Sequence, residues 1–135
     1  MIEIVRHNTL RVYSLGQAQD ILQLVYRMTE DASKQAKYLM GCLEALPDKK
    51  SERAQEYQEQ INVIITRWQN KIERLGAKPK GLWLVDFDNG QGFFCWKFPE
   101  TQISFHHGYQ DGFTGRKMIS QKEILHYENS PQPNQ

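Results

Sequence analysis

The hydrophobic repeat of this chain changes its period at one point, and that change limits the folds open to it. Up to about Leu75 the apolar residues recur every three to four positions, which is the spacing of one helix face. Over residues 81–107 apolar and polar residues alternate in short runs rich in aromatic side chains, which is typical of strands. The joint between the halves, residues 76–81, contains two glycines and a proline. The pattern predicts an α+β fold, with a long antiparallel helical hairpin packed on a three-stranded antiparallel β-meander.

The first half of the chain predicts two long helices. Ser14 and Gln17 form a capping-box pattern ahead of an apolar stripe that continues to Leu46. After a break at residues 47–50, Ser51 is placed to cap a second helix that ends near residue 75. Because the connection is short, we expect an antiparallel hairpin over residues 14–76.

The length of this hairpin predicts self-association. A helix over residues 15–46 is about 45 Å long at 1.5 Å per residue. A compact chain of this size has a diameter of about 37 Å, so the hairpin extends beyond it. Additional apolar residues widen the stripe beyond the width that one partner helix covers: Leu22, Met40 and Ile65. We therefore expect a homodimer in which two hairpins form an intermolecular four-helix bundle.

The second half predicts three strands, over residues 81–87, 93–98 and 101–107. The Asn89-Gly90 and Pro99-Glu100 pairs are expected to form two-residue turns, which set the register. That register places nine residues on the face toward the helices: Trp83, Val85, Phe87, Phe94, Trp96, Phe98, Ile103, Phe105 and His107. It places Asp86, Cys95 and His106 together on the other face.

The remaining segments flank these parts within what we expect to be one domain. Residues 1–13 predict an arm or a short edge strand. The sheet and a glycine-containing loop are assigned to residues 77–119. Residues 120–135 predict a short helix, with Ser120 and Glu123 at its start, followed by a disordered tail.

Composition excludes several classes of protein. The 17 lysines and arginines nearly balance 16 aspartates and glutamates, and this net charge of +1 argues against a nucleic-acid partner. No apolar run approaches the roughly 18 residues that a membrane span needs, so we expect no membrane contact. Two cysteines, Cys42 and Cys95, are too few for a disulfide framework, and a cytoplasmic location is expected.

Residues 81–116 resemble the bacterial and archaeal domain-of-unknown-function family numbered 2203. The matching residues are Val85-Asp86-Phe87, Cys95-Trp96, Glu100, Ile103, His107, Gly112-Phe113 and Gly115-Arg116. Residues 13–22 are similar to the opening helix of that family, so the resemblance covers about residues 12–119. It implies a small cytoplasmic domain with long helices and a short sheet, and it implies no known activity.

One end of the predicted sheet gathers acidic, imidazole and guanidinium groups. The candidate residues are Asp86, His106, His107, Asp111 and Arg116. They are suited to a carboxylate-held histidine as general base, to an Arg116 contact with a small anionic ligand, or to a metal held by two histidines and an aspartate. A structural role is the alternative, in which His107 closes the core and Arg116 pairs with Asp86 or Asp111.

Two further residues are predicted to be structural. Cys95 is expected to be buried in the middle of its strand. Glu100 is expected to accept backbone N–H groups at a turn or to pair with a helix lysine, about 23 Å from His107 along one strand. We expect no cofactor and no bound metal; the residues that would hold a metal are His106, His107 and Asp86.

These patterns favour a non-enzymatic, homo-oligomeric binding or adaptor module with a ligand or partner patch at the His107 and Arg116 end of the sheet. The alternative is a small metal-dependent or general-base hydrolase that uses the same five candidate residues. Residue types and spacing leave open which of the two functions applies.

Overall fold

The computed structural model describes residues 11–129, and its fold is α+β. The helices are α1 (Leu15–Ala45), α2 (Glu52–Arg74) and α3 (Gln121–Asn129). The strands are β1 (Lys78–Gly81), β2 (Leu84–Asp88), β3 (Phe93–Lys97), β4 (Phe105–His107) and β5 (Lys117–Met118). The predicted tail and most of the predicted N-terminal arm lie outside the described residues. None of the helices within residues 11–129 is long and apolar enough to cross a membrane.

The two long helices begin where the capping residues predict. The Ser14 hydroxyl accepts the N–H of Gln17, and the Gln17 side chain accepts the N–H of Ser14, so the capping box is confirmed. The Ser51 hydroxyl accepts the N–H of Ala54 at the start of α2. These side chains satisfy amide groups that the helices leave without partners.

A buried hydrogen bond joins α1 to α2. The indole N–H of Trp68 donates to the Thr29 hydroxyl at 2.8 Å, and that hydroxyl donates to the carbonyl of Val25 at 2.7 Å. Thr29 pairs with Trp68 in the last third of α2, whereas Tyr38, further along α1, lies near Tyr57 in the first third of α2, so the two helices run antiparallel. The predicted hairpin is therefore confirmed at this level.

The sheet has five antiparallel strands in the order β1 to β5, rather than the three that were predicted. Strand β1 lies inside the joint that was read as a break. The predicted strand over residues 81–87 is confirmed over residues 84–87 but begins too early, because Leu82 and Trp83 form a turn between β1 and β2, with Trp83 at φ +62°. Strand β5 is two residues long, which is too short for a sequence pattern to indicate.

The register between β2 and β3 differs from the prediction by two residues. Val85 lies opposite Trp96 and Phe87 opposite Phe94, whereas Val85 was predicted to lie opposite Phe94. Side chains alternate between the two faces, so a shift of two leaves every residue on its predicted face. All four side chains are fully buried against the helices.

The longer loop between β2 and β3 explains this shift. The side chain of Asp88 accepts the N–H of Gly90, and the side chain of Asn89 accepts the N–H of Gln91. The chain then closes through a hydrogen bond from the N–H of Asn89 to the carbonyl of Gly92 at 2.9 Å. The predicted two-residue turn is therefore wrong, since these side chains stabilise a wider loop.

The register between β3 and β4 differs from the prediction by one residue, which has a larger consequence. Phe94 lies opposite His106 and Cys95 opposite Phe105, whereas Phe94 was predicted to lie opposite Phe105. A shift of one moves each side chain of β4 to the opposite face. The prediction that Phe105 and His107 face the helices is therefore wrong, as is the one that placed His106 on the same face as Asp86.

This second shift has a tertiary cause. The N–H of Ile103 donates to the Gln19 side chain at 3.0 Å, and the carbonyl of Ile103 accepts the Gln19 amide at 3.2 Å. The segment before β4 is thus hydrogen-bonded to α1, and pairing with β3 begins only at Phe105. The register of β4 therefore depends on a contact with α1, between residues far apart in sequence, and not on the Pro99-Glu100 turn.

Candidate functional site

Five polar side chains lie in a row across the outer face of the sheet, which is the face opposite α1 and α2. They come from β2, β3, β4 and two connecting segments: His107, Asp86, Cys95, Arg116 and Glu100. We call these five residues the polar row. Asp86 lies opposite Cys95 in the β2–β3 ladder. His107 contacts Asp86, Arg116 lies beside Cys95, and Glu100 pairs with Arg116.

Asp86 and His107 form a buried pair. Nε2 of His107 lies 3.1 Å from Oδ2 of Asp86, and the two side chains are 3% and 4% exposed. Nδ1 of His107 lies 2.8 Å from the carbonyl oxygen of Gly108. A carbonyl oxygen can only accept, so Nδ1 carries a hydrogen. The short contact between Nε2 and the carboxylate therefore requires a proton, or another cation, between the two atoms.

The second oxygen of Asp86 is in an unusual position. Oδ1 is buried and has no hydrogen-bond partner within residues 11–129. Burial raises the pKa of Asp86, while His107, the Cys95 thiol and Lys80 each act to lower it. The effect of burial on the pKa of Asp86 therefore exceeds the combined effect of these three favourable contacts.

Cys95 connects the Asp86 pair to Arg116. It is fully buried, as predicted, and burial together with the charge of Asp86 raises the pKa of its thiol to about 12. The guanidinium of Arg116 lies beside the thiol and acts in the opposite direction. Cys95 is consequently a neutral thiol between the carboxyl group of Asp86 and the guanidinium of Arg116.

Arg116 is held by Glu100 and by two aromatic rings. Its guanidinium donates to both carboxylate oxygens of Glu100, at 3.1 and 2.7 Å. Its carbon Cζ lies 3.9 Å from the ring centre of Phe105 and 4.3 Å from that of Phe113. The prediction that Arg116 pairs with Asp86 or Asp111 is therefore wrong. Both the fork geometry and the stacking are specific to arginine.

Glu100 has one predicted contact and one that was missed. Its carboxylate accepts the N–H of Lys97 at 2.9 Å, as expected for an acid at a turn. The ion pair with Arg116 was not predicted. Since β4 contains only Phe105–His107, the prediction that residues 100 and 107 lie at opposite ends of one strand is also wrong.

The five candidate residues do not form one group. Asp86 and His107 meet directly, and Arg116 is reached from them only through Cys95. His106 faces α3, where its ring contacts the Tyr127 hydroxyl at 3.1 Å and Glu123 at 3.4 Å. Asp111 is exposed and accepts the N–H of Gly108 at 3.2 Å. The predicted metal set of two histidines and an aspartate is wrong, because the two rings lie on opposite faces.

Two members of the polar row, Cys95 and Glu100, were interpreted as structural from sequence alone. A signal was nevertheless present, because all five members of the row are among the residues that carry the family resemblance. Adjacent strands bring them together although they span 31 positions, from 86 to 116. Spacing along the chain could not reveal that arrangement.

Aromatic and cationic side chains cover the Asp86 end of the row. The ring of Phe93 lies 5.6 Å from that of His107 and 5.1 Å from that of Tyr109. The ammonium groups of Lys78 and Lys80 lie 5.3 and 5.4 Å from the Phe93 ring centre. Within residues 11–129, side chains and not a helix cover this end of the outer face.

The fold and the site define a small α+β protein with a helical hairpin on one face of an antiparallel sheet and a buried aspartate, cysteine and histidine on the other. The chain belongs to the family described as "Uncharacterized conserved protein (DUF2203)", whose model matches residues 11–119. This match confirms the resemblance seen in the sequence. No curated protein and no solved structure matches the chain.

Proposed function

We propose that the protein is a cytoplasmic, non-enzymatic homodimer that binds a small anionic ligand or an acidic partner on the outer face of its sheet. The observation that carries the dimer is a groove on the hairpin that is apolar at its centre and oppositely charged at its two ends. The burial of Asp86, Cys95 and His107 favours binding over catalysis, because a substrate cannot reach them without displacing the side chains above. Both cysteines are free thiols, which fits a reducing compartment.

The groove lies between α1 and α2 and has a volume of about 780 Å³. Leu39 and Ile64 line it, together with Tyr38 and Val63, which are 71% and 46% exposed. An apolar surface of this kind is stabilised when another protein surface covers it. A second copy of the hairpin supplies a surface of matching length.

The charges along the groove are arranged for a second copy. Lys34 and Arg67 lie at the end near the sheet, and Glu56 and Glu59 lie toward the tip of the hairpin. Glu59 and Arg67 are eight residues apart on α2, about 12 Å. Two hairpins related by a two-fold axis and packed antiparallel place each basic end against the acidic end of the partner. The groove is therefore complementary to itself.

Reversing the charge of Arg67, at one end of this groove, should separate the dimer. We expect light scattering to give twice the 15.9 kDa chain mass for the native protein at tens of micromolar. Arg67→Glu should raise the dimer dissociation constant at least about tenfold, because the end near the sheet then carries one positive and one negative charge and no longer attracts the acidic end of the partner. Adding Glu59→Arg to that variant should restore the dimer, since position 67 of each copy again meets a charge of opposite sign at position 59 of the other copy.

Lys37→Glu is the matched control, because Lys37 is exposed on α1 but does not line the groove. It should leave the mass unchanged. A native protein that is monomeric at this concentration would contradict the dimer. So would a dimer that Arg67→Glu and Lys37→Glu weaken equally.

The ligand surface is assigned to the lysines beside Phe93 rather than to Arg116. Among the described residues neither Lys78 nor Lys80 forms a salt bridge, whereas both oxygens of Glu100 already engage Arg116. Their ammonium groups are thus cations without an ion pair in the described part of the chain, and both lie over Phe93 at the His107 end of the sheet. An anion bound there gains two charge-assisted contacts next to an aromatic ring.

Titration with inorganic phosphate, followed by amide NMR shifts, tests this surface. The amides of β1 and the N-terminal half of β3 should shift, and the double variant Lys78→Gln/Lys80→Gln should abolish those shifts. The variant Lys117→Gln/Lys122→Gln removes the same charge elsewhere and should retain them. Shifts that persist without the two β1 lysines, or that follow Lys117 and Lys122, would refute the assignment.

A further inference from the structure

We propose that Asp86, Cys95 and His107 together bind one divalent transition-metal ion, and that zinc is the ion they fit best. The three side chains are buried, and one ligand atom from each lies within 4.8 Å of the other two. They supply one oxygen, one sulfur and one nitrogen, all of which are common zinc ligands. This site is independent of the proposed dimer and anion surface.

The distances suit a tetrahedral ion. Zinc bonds of 2.0 to 2.3 Å place neighbouring ligand atoms about 3.3–3.8 Å apart. The Asp86 oxygen and the His107 nitrogen are already 3.1 Å apart. The widest separation therefore has to close by about 1 Å, which side-chain rotation on three adjacent strands can supply.

The orientation of His107 is that of a metal ligand. Its Nδ1–H donates to the carbonyl of Gly108, which leaves the lone pair of Nε2 directed at Asp86. Metal-binding histidines donate the other ring N–H to a carbonyl or carboxylate in the same way, which fixes the tautomer. The backbone of residue 108 thus orients the ring before an ion arrives.

The unpaired oxygen of Asp86 is a second, independent indication. Oδ1 is buried without a hydrogen-bond partner in the described part of the chain, and buried carboxylate oxygens normally have one. A bound cation would supply the missing interaction, either at Oδ1 itself or through a water on the ion.

Replacing the protons of the three ligands with a divalent metal ion also conserves charge. Without metal, Asp86 and His107 share one proton, and Cys95 keeps its own. When a divalent cation binds, the bond to sulfur forms as the thiol proton leaves to solvent, and the shared proton leaves as well. Two protons are replaced by one ion of charge +2, so the buried group stays neutral overall.

Cobalt substitution tests the site directly. Untagged protein should bind equimolar Co²⁺ and show the near-ultraviolet charge-transfer band of a cobalt thiolate. Cys95→Ser should lose that band. Cys42→Ser, which alters the second cysteine of the chain, located on α1, should keep it. Equimolar Zn²⁺ should displace the cobalt and raise the melting temperature of the native chain.

Adjacent histidines provide a second matched pair. His107→Gln should weaken Zn²⁺ binding at least about tenfold, within the range expected for loss of one contributing group. His106→Gln, one residue away on the opposite face, should bind as the native protein does. If His107→Gln does not fold by circular dichroism, Asp86→Asn replaces it with little change in size. A folded native protein without the band and without a zinc-dependent melting shift would overturn the proposal, and so would a band that depends on Cys42.

Discussion

Replacing His107 with leucine should lower the free energy of unfolding by about 3–5 kcal/mol, the usual result of breaking a buried charged pair from one side. The substitution removes the imidazole from the buried Asp86 carboxylate, whose Oδ1 has no partner within residues 11–129 even in the native protein, and leaves it only the Cys95 thiol and the more distant Lys80 charge. Denaturant unfolding in the presence of a chelator measures this loss. The chelator ensures that the result reports the proton-bridged pair and not a metal site.

His106→Leu is the control for this experiment. His106 contacts Tyr127 and Glu123 on a partly exposed surface, so its replacement should cost less than about 1 kcal/mol. In the double variant His107→Leu/Asp86→Ala the unpaired acid is gone, and the total loss should fall below the sum of the single losses by at least about 1 kcal/mol. Additive losses would show that the two residues are not coupled.

Replacing Gly92 with alanine should lower the free energy of unfolding by about 2–3 kcal/mol, as for other forced overpacking. A Cβ at this position would lie 2.4 Å from the carbonyl oxygen of His107 and 3.0 Å from Cα of Gly108. Both contacts are with backbone, so a side-chain rotation cannot relieve them. The β3–β4 pairing must open near His107, and chemical denaturation should report the loss.

Gly112→Ala is the matched control, since no atom lies within 4 Å of the Cβ that it adds. Its effect should stay within about 0.5 kcal/mol, as for ordinary surface substitutions. Equal losses in the two alanine variants would show that backbone flexibility, and not the close approach to His107, accounts for the glycine at position 92.

The helices were predictable from sequence because their signals are local. Ser14, Gln17 and Ser51 mark helix starts through hydrogen bonds that span three residues. Ser120 and Glu123 form the same reciprocal contact at the start of α3, as predicted. A stripe with helical spacing then implies a buried face without reference to any distant residue.

The sheet register was not predictable, because distant residues determine it. The pairing of β4 depends on the two hydrogen bonds between Ile103 and Gln19, which are 84 positions apart. The resulting shift of one residue brings His107 to Asp86 and takes His106 away. Of the five candidate residues, the structure joins only Asp86 and His107 directly.

The proposed site depends on this same shift. With Phe105 and His107 on the outer face, they join Cys95 there, and the thiol lies among polar and aromatic groups. Turn chemistry alone predicted the opposite face. A pattern of residue types therefore identified the chemistry present but not which groups meet.

The distribution of buried residues along the hairpin has a consequence for how the protein opens. In the described chain, α1 has no buried residue beyond Ala36, and α2 has only Ala54 before Ile61. The tip is held by half-covered side chains of the two helices, so it separates at a lower free energy than the sheet unfolds. Amide hydrogens near the tip consequently exchange through local fraying. A second copy bound there would slow that exchange without altering the chemistry on the far side of the sheet.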